Sequence, residues 1–293
     1  MHDSPTRAPS TAGDLTATAT PDDTAAIARA AEVLRGRRVA VLSGAGVSTD
    51  SGIPDYRGRG APVRTPMAFE RFRDDPAARQ RYWAGSHLGW RRFHAAKPNA
   101  GHVALSELER GGIVSGIVTQ NVDDLHLRAG SRRVIELHGT LGTVSCLSCG
   151  QSFARQAIAT RLDELNPWLA AAARHELAPD GDVDVADFRA TVVPDCTVCG
   201  GMLKPDVVFF GETVPPATFR AAAALVRGSE VLLIAGSSLV VNSGIRIVEV
   251  ARRRHLPIVI INRGATKADD RATVRIEGGT SQVLSALRDQ LLD

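Results

Sequence analysis

All four cysteines of the 293-residue chain fall in two matched pairs, Cys146 and Cys149 in "CLSCG" and Cys196 and Cys199 in "CTVCGG". Each pair is C-x-x-C followed by glycine, the knuckle turn of a zinc ribbon, and no cysteine is left over. Four thiolates close a tetrahedral zinc and leave no position for water, so the predicted metal is structural and does no chemistry. A redox C-x-x-C, or four unrelated buried cysteines, are the alternatives. Metal binding worth roughly 10 kcal/mol or more would hold the surrounding module together.

A second set of residues begins in "VAVLSGAGVSTDSGIPDYRG", residues 39–58. The apolar run Val39-Ala40-Val41-Leu42 meets Gly44-Ala45-Gly46 as a strand meets a dinucleotide-binding turn. The third glycine of G-x-G-x-x-G is missing: Thr49 takes its place, and Gly52 follows with Asp55, Tyr56 and Arg57 just beyond. That departure disfavours an oxidoreductase. Small or polar residues also close three other apolar runs, as Gln120-Asn121-Val122-Asp123, Gly236-Ser237-Ser238 and Asn262-Arg263-Gly264. Each alone fits ordinary turn chemistry. Four such strand ends together point to a nucleotide laid across a sheet edge.

Of eight histidines, His138 in "ELHGT" stands out, because it ends a short strand eight residues before the first zinc cysteine. That position predicts a place in the cleft between the large sheet and the zinc module. His102 and His126 have similar contexts, so position alone does not single out a catalyst.

The elements that must position these residues follow from apolar spacing. "TAAIARAAEVLRG" predicts a helix from about Thr24 to Gly36, and "PNAGHVALSELERGG" another with a glycine stop. The runs at 39–42, 117–119, 230–238 and 257–264 are continuously apolar and separated by helical stretches. Such runs fit parallel strands buried on both faces. The predicted fold is α/β, a Rossmann-like doubly wound parallel sheet with a helical insertion and an inserted small zinc-ribbon module. The predicted division is a disordered tail at 1–21, a nucleotide-binding domain at 22–145 and 206–293, and a zinc module at 146–205. Residues 56–100, aromatic and arginine-rich, form the cofactor loop and helical insertion.

Composition excludes several functions. Net charge is only +3, the segment between the cysteine pairs is acidic rather than basic, and nucleic acid is not an expected partner. No apolar run approaches the roughly 18 residues that cross a membrane, and the Thr- and Ala-rich start lacks the apolar centre of a signal peptide. A cytoplasmic protein with reduced cysteines is expected.

Taken in order over roughly residues 25–285, "GAGVSTDSGIPDYRG", "TQNVDDLH", "ELHG", the two cysteine pairs, "GGMLKPDVVFFGE" and "GSSLVVNS" resemble the sirtuins, the NAD-dependent protein-lysine deacylases. "RQRYWAGSHLGW" and "LAPDGDV" look most like their class II branch. The arginine-rich, alanine-rich composition, with Lys97, Lys204 and Lys267 its only lysines, fits a GC-rich bacterial source. The resemblance implies an enzyme that consumes NAD, releases nicotinamide and forms O-acyl-ADP-ribose, with acyl-lysine proteins as substrates. It implies that Gly44, Ala45, Gly46 and Ser48 lie at the phosphates, with Asp55, Tyr56 and Arg57 in a flexible cofactor loop. Gln120, Asn121, Val122 and Asp123 would line the ribose and nicotinamide pocket, Asn121 and Asp123 with catalytic roles, and His138 would be the general base. Gly236, Ser237 and Ser238 would hold the adenosine half, with Asn262, Arg263, Gly264 and Thr280 around its adenine end. Val207, Val208, Phe209, Phe210, Gly211 and Glu212 would form the strand edge on which a substrate peptide adds.

Two departures from the family pattern stand out. Asp124 follows Asp123 where a small or apolar residue is usual, and it is expected to face solvent. Tyr82 is followed three residues later by Gly85, not by the arginine of the succinyl-preferring branch, which disfavours short acidic acyl groups. Two other functions remain: mono-ADP-ribosyl transfer from the same NAD cleavage, and a non-catalytic NAD-responsive binding module.

Overall fold

The computed structural model describes residues 21–55, 66–172, 185 and 187–293. The predicted tail up to residue 20, together with Tyr56 and Arg57, lies outside the described residues. Along the chain run α1 (Pro21–Leu34), β1 (Val39–Ser43), α2 (Phe69–Asp74), α3 (Pro76–Ala95), α4 (Ala100–Arg110), β2 (Val114–Thr119) and α5 (Leu125–Arg128). There follow β3 (Val134–Glu136), β4 (Gly139–Cys146), β5 (Ser152–Ala154), α6 (Arg155–Leu165) and β6 (Leu203–Val207). The chain closes with α7 (Pro216–Arg227), β7 (Val231–Ala235), α8 (Asn242–Arg253), β8 (Ile258–Asn262), β9 (Val274–Glu277) and α9 (Thr280–Leu292).

Six parallel strands pair in the order β3-β2-β1-β7-β8-β9, a doubly wound sheet whose strand order reverses at β1. Its strands are apolar throughout because both faces are covered. Val39 and Val41 of β1 join Val231, Leu233, Val259 and Ile261 in one core, under α1, α4 and α9. Ala40 and Leu42 join Leu232, Ile234, Ile258 and Ile260 in the other, under α7 and α8. Strand periodicity of two divides each run between the layers, and each fully buried aliphatic contributes about 1.5–3 kcal/mol.

Helix starts and stops follow local chemistry. Asp75 caps α3 by accepting from Ala77 N–H (2.9 Å), with Pro76 in the first turn. Asn99 caps α4 through Gly101 N–H (2.9 Å) and His102 N–H (3.3 Å), and α4 stops at Gly111.

A second unit is built on the antiparallel sheet β5-β4-β6. Its sheet spans Gly139–Val207, wider than the predicted 146–205, because β4 starts immediately after His138. The helical insertion shares its core: Phe72, Tyr82, Trp83 and Trp90 pack with Leu141, Val144, Ile158, Leu162 and Leu203. Phe72 and Tyr82 both lie edge-on or tilted against Phe209, with ring centroids 5.1 and 4.9 Å away. Neither β5 nor β9 is marked by the apolar run that marks the central strands.

Gly139 marks the closest backbone approach between β4 and β6. Its φ is +75°, and a Cβ there would sit 1.9 Å from the Asp206 carbonyl oxygen. Gly36 also has a positive φ, +69°, but a Cβ would meet nothing within 4 Å. Gly36→Ala is therefore expected to cost about 1 kcal/mol, from backbone strain alone. Gly139→Ala should cost more than about 3 kcal/mol, because the clash with β6 adds to that strain. Urea denaturation of both variants checks this, and equal losses would contradict it.

Candidate active site

The crevice lies where the C-terminal ends of β1, β2 and β7 meet, at the reversal of strand order. The turn after β1 and the turn after β7 touch through glycine: a Cβ on Gly44 would lie 2.7 Å from the Gly236 carbonyl oxygen, and one on Gly46 2.8 Å from Gly236 Cα. Gly236 itself has φ +62°. The N–H groups of Gly44 and Gly46 donate inward to Ala235 and Gly236 carbonyls (3.0 and 2.9 Å). These glycines therefore shape the floor of the crevice rather than supply its donors. Thr280 at the start of α9 closes the far side, its hydroxyl donating to the Gly46 carbonyl (3.0 Å).

Gln120 ties three strand ends together. Its N–H donates to the Ser43 carbonyl (2.9 Å), and its side-chain amide donates to Ser237 Oγ (2.7 Å). Its carbonyl accepts from His138 Nδ1 (2.9 Å). A carbonyl can only accept, so Nδ1 carries the proton and Nε2 is the basic nitrogen. Burial holds the His138 pKa below the ordinary histidine value, against the opposing pull of that hydrogen bond. The ring is thus neutral at pH 7. Ser243 Oγ, at the start of α8, lies 2.6 Å from Nε2.

Asn121 and Asp123 are brought to the same place by Ser48. The Asn121 amide donates to the Gly44 carbonyl and to Ser48 Oγ (both 3.1 Å), and Ser48 Oγ donates to Asp123 Oδ2 (2.6 Å). Asp123 Oδ1 accepts from Leu125 N–H (3.0 Å). Burial pushes the Asp123 carboxyl up, and these two bonds restrain it. Val122 accepts from Leu141 N–H (3.1 Å), and Asp55 is half-buried beyond the turn.

Behind the turn stand two buried histidines whose position gave no role in advance. His126 Nε2 is 2.8 Å from Ser43 Oγ, and the two rings pack tilted with centroids 4.9 Å apart. Burial pushes His102 down to about 4 and His126 well below its ordinary value. Both are neutral polar packing under the glycine turn. The signal for His102 was the Asn99-x-x-His102 spacing of a capping box. Ser243 closes the motif "GSSLVVNS", but the sequence gives it no role of its own.

Some expected residues lie elsewhere or behave differently. Asn262 donates to the Arg263 and Gly264 carbonyls (both 2.9 Å), closing the turn after β8, while Arg263 itself is exposed. Ser238 precedes Leu239, a residue in the left-handed region with φ +57°. The segment 207–212 is not a strand along its length, since β6 ends at Val207. Val208 N–H donates to the His138 carbonyl (2.8 Å), Phe209 N–H to Glu212 Oε2 (2.7 Å), and the Phe210 carbonyl accepts from Phe69 N–H (2.9 Å). Lys204 Nζ, 3.0 Å from Glu212 Oε2, donates to the Val207 carbonyl (2.7 Å) and braces the loop. Asp124 does not face solvent: it is half-buried with φ +59° and accepts from Thr140 Oγ1 (2.5 Å). Desolvation and the neighbouring Asp124 push Glu136 up to about 8.

The four cysteine sulfurs lie within 4.8 Å of one another, with Cys146–Cys199 at 3.5 Å and Cys149–Cys196 at 3.8 Å. A tetrahedral zinc with bonds of about 2.3 Å separates its sulfurs by about 3.8 Å, so the set fits the ion. The two knuckles are alike. Ser148 and Val198 N–H each point at the first sulfur of their pair (3.4 Å), and Gly150 and Gly200 follow with φ +73° and +72°. Only glycine enters that conformation freely, which explains the residue after each pair.

Residues 44–243 match the family profile described as Sir2 family. The chain belongs to the Sir2 family. It is 52% identical over 263 residues to NAD-dependent protein deacetylase 1 of Mycobacterium avium (strain 104), covering 88% of this chain and 93% of that one. It is 50% identical over 278 residues to NAD-dependent protein deacetylase 1 of Streptomyces coelicolor, covering 92% of each. A solved Sir2 homologue–NAD complex superposes with TM-score 0.71 at 31% identity, covering 90% of this chain and 93% of that one. A Sir2–p53 peptide–NAD+ complex does so with TM-score 0.70 at 29% identity, covering 89% and 97%.

Removal of zinc with a chelator should unfold the β5-β4-β6 unit and leave the large sheet folded. Hydrogen exchange is expected to lose protection over 139–207 while β1, β7 and β8 keep theirs. Unchanged exchange in the metal-free protein would contradict a structural ion.

Proposed function

We propose that this protein is an NAD-dependent protein-lysine deacylase with His138 as its general base. The observation that carries the reading is the fixed ring of His138: Nδ1 is bonded to the Gln120 carbonyl, and Nε2 is left basic at the crevice. The similarity to NAD-dependent deacetylases supports the same reading.

NAD, when bound, supplies an activated ribosyl carbon whose bond to nicotinamide breaks during the reaction. The chain's own residues do the rest. The glycine-packed turns give a floor on which a dinucleotide lies close to backbone, bounded by Ser237, Ser238, Asn262, Arg263, Gly264 and Thr280. Asn121 and Ser48 present an amide and a hydroxyl at the head of that floor, and Asp123 orients both through Ser48. His138 accepts a proton from a substrate hydroxyl and, as a neutral imidazole, it does so without first losing one. The loop 207–212 supports a peptide beside the base, because its start is bonded to the His138 carbonyl.

Further assignments rest on the same reading. The cofactor loop carries Asp55, Tyr56 and Arg57, and "LAPDGDV" favours the class II branch. Two units, the large sheet and the zinc unit with its helical insertion, face each other across the crevice. No helix among the described residues is long and apolar enough to cross a membrane. Four clustered thiols suit a reducing compartment, and we assign the protein to the cytoplasm.

The test incubates the protein with NAD and peptides carrying acetyl, longer, acidic and lipoyl groups on lysine, following products by mass spectrometry. Free lysine and O-acyl-ADP-ribose should form in equal amounts with at least one acyl group. His138→Ala should lower that rate by about 10²–10⁴-fold while NAD binding by calorimetry survives. Nicotinamide release without deacylated peptide would favour ADP-ribosyl transfer, and no NAD turnover would favour a binding module.

A further inference from the structure

The basic nitrogen of His138 is not open. Ser243 Oγ lies 2.6 Å from Nε2, and Nε2 must be the acceptor because Nδ1 carries the ring proton. The Ser243 hydroxyl therefore donates to it. A neutral imidazole nitrogen has one lone pair, and here that lone pair is taken.

This contact is built rather than incidental. Ser243 is buried, at 9% exposure, in the first turn of α8. The next residue is Gly244, where a Cβ would lie 2.8 Å from Gln120 Oε1. The first turn of α8 thus presses on the same glutamine whose carbonyl holds the other ring nitrogen of His138. Gln120 fixes Nδ1 and lies against the turn that carries Ser243, whose hydroxyl occupies Nε2.

We propose that Ser243 relays the proton between the substrate hydroxyl and His138. The proposal rests on the deacylase reading above. In the step, the substrate hydroxyl donates to Ser243 Oγ, which has lone pairs to accept with while its own hydrogen points at Nε2. The substrate O–H breaks and its oxygen keeps the electron pair, becoming the nucleophile. Its proton bonds to Ser243 Oγ as the former serine proton passes to Nε2. One proton moves from substrate to imidazole, and serine ends as the neutral alcohol it began as. With the ring now a cation, Nε2–H donates back to Ser243 Oγ, so the hydroxyl serves both protonation states of the base.

The test compares zinc-loaded wild type, Ser243→Ala and Ser243→Thr. Ser243→Ala should keep first-turnover nicotinamide release within about twofold and slow deacylated-peptide formation by at least about 20-fold. Ser243→Thr, which restores the hydroxyl, should recover most of that loss. In the free protein, ¹⁵N NMR of the histidine rings should show the His138 Nε2 resonance move in Ser243→Ala and leave Nδ1 in place. Deacylation within twofold of wild type in Ser243→Ala would overturn the relay, since the substrate hydroxyl would then reach Nε2 directly. Equal loss of nicotinamide release and deacylation would overturn it as well, marking a general disturbance of the crevice. An unmoved Nε2 resonance would remove the hydrogen bond on which the proposal stands. Absence of deacylation in the wild type itself would defeat the functional reading instead, and the NMR comparison would still decide the Ser243 contact.

Discussion

The hydrogen bond from His138 Nδ1 to the Gln120 carbonyl, 2.9 Å long, is the constraint on which the site depends. Gln120 sits where β2 ends beside β1, and its amide reaches the turn after β7. The sheet's reversal of strand order opens the crevice at that point, and one residue joins all three strand ends to the base. Ring orientation, tautomer and the shape of the crevice floor are consequences of the same junction. A histidine held this way needs no carboxylate to fix it. Burial then keeps it neutral, which is the state a proton acceptor requires.

The zinc unit acts at a distance from that chemistry. Its ion would lie at the far end of β4, whereas the near end begins at Gly139, directly after the base. The sheet β4-β6 delivers Val207 and Val208 to the His138 backbone, and the Lys204–Glu212 pair braces the loop that follows. Lys204 is buried and Glu212 half-buried, so the pair fixes where the loop begins and ends. Phe72, Tyr82 and Phe209 lock the helical insertion onto the same loop. The insertion, the antiparallel sheet and Phe209 of the loop therefore share one core.

Much of this was legible in the sequence, for physical reasons that can be named. Continuous apolar runs announced the central strands because both faces of a parallel sheet are buried. C-x-x-C-G announced the metal knuckles because the turn needs glycine with positive φ. His138, Asn121 and Asp123 were legible through family resemblance, and the structure gathers them around Ser48 and Gln120. Other features depend on contacts far apart in the chain and left no local trace. Ser243 is 105 residues from His138, and only the packing of α8 on Gln120 brings them together. Glycines 44, 46 and 236 fit a ligand cradle by sequence, yet two backbone turns in contact already demand them. Asp124 is expected in solvent from the sequence, but β3 and β4 supply Glu136 and Thr140 to half-bury it. Short strands such as β5 and β9 lack a pattern that separates them from loops.

The most direct test of the account is a pH titration of His138 by ¹⁵N NMR in the free, zinc-loaded protein, with His138→Gln used to assign the signal. The account predicts a neutral ring at pH 7 with the proton on Nδ1, and a midpoint below the ordinary value of 6.5. Its sign is set by burial: protonation is resisted until pH falls below that value, so the base stays active on the acid side of neutrality. A ring protonated on Nε2, or a cation at pH 7, would contradict the assignment of His138 as a fixed neutral base.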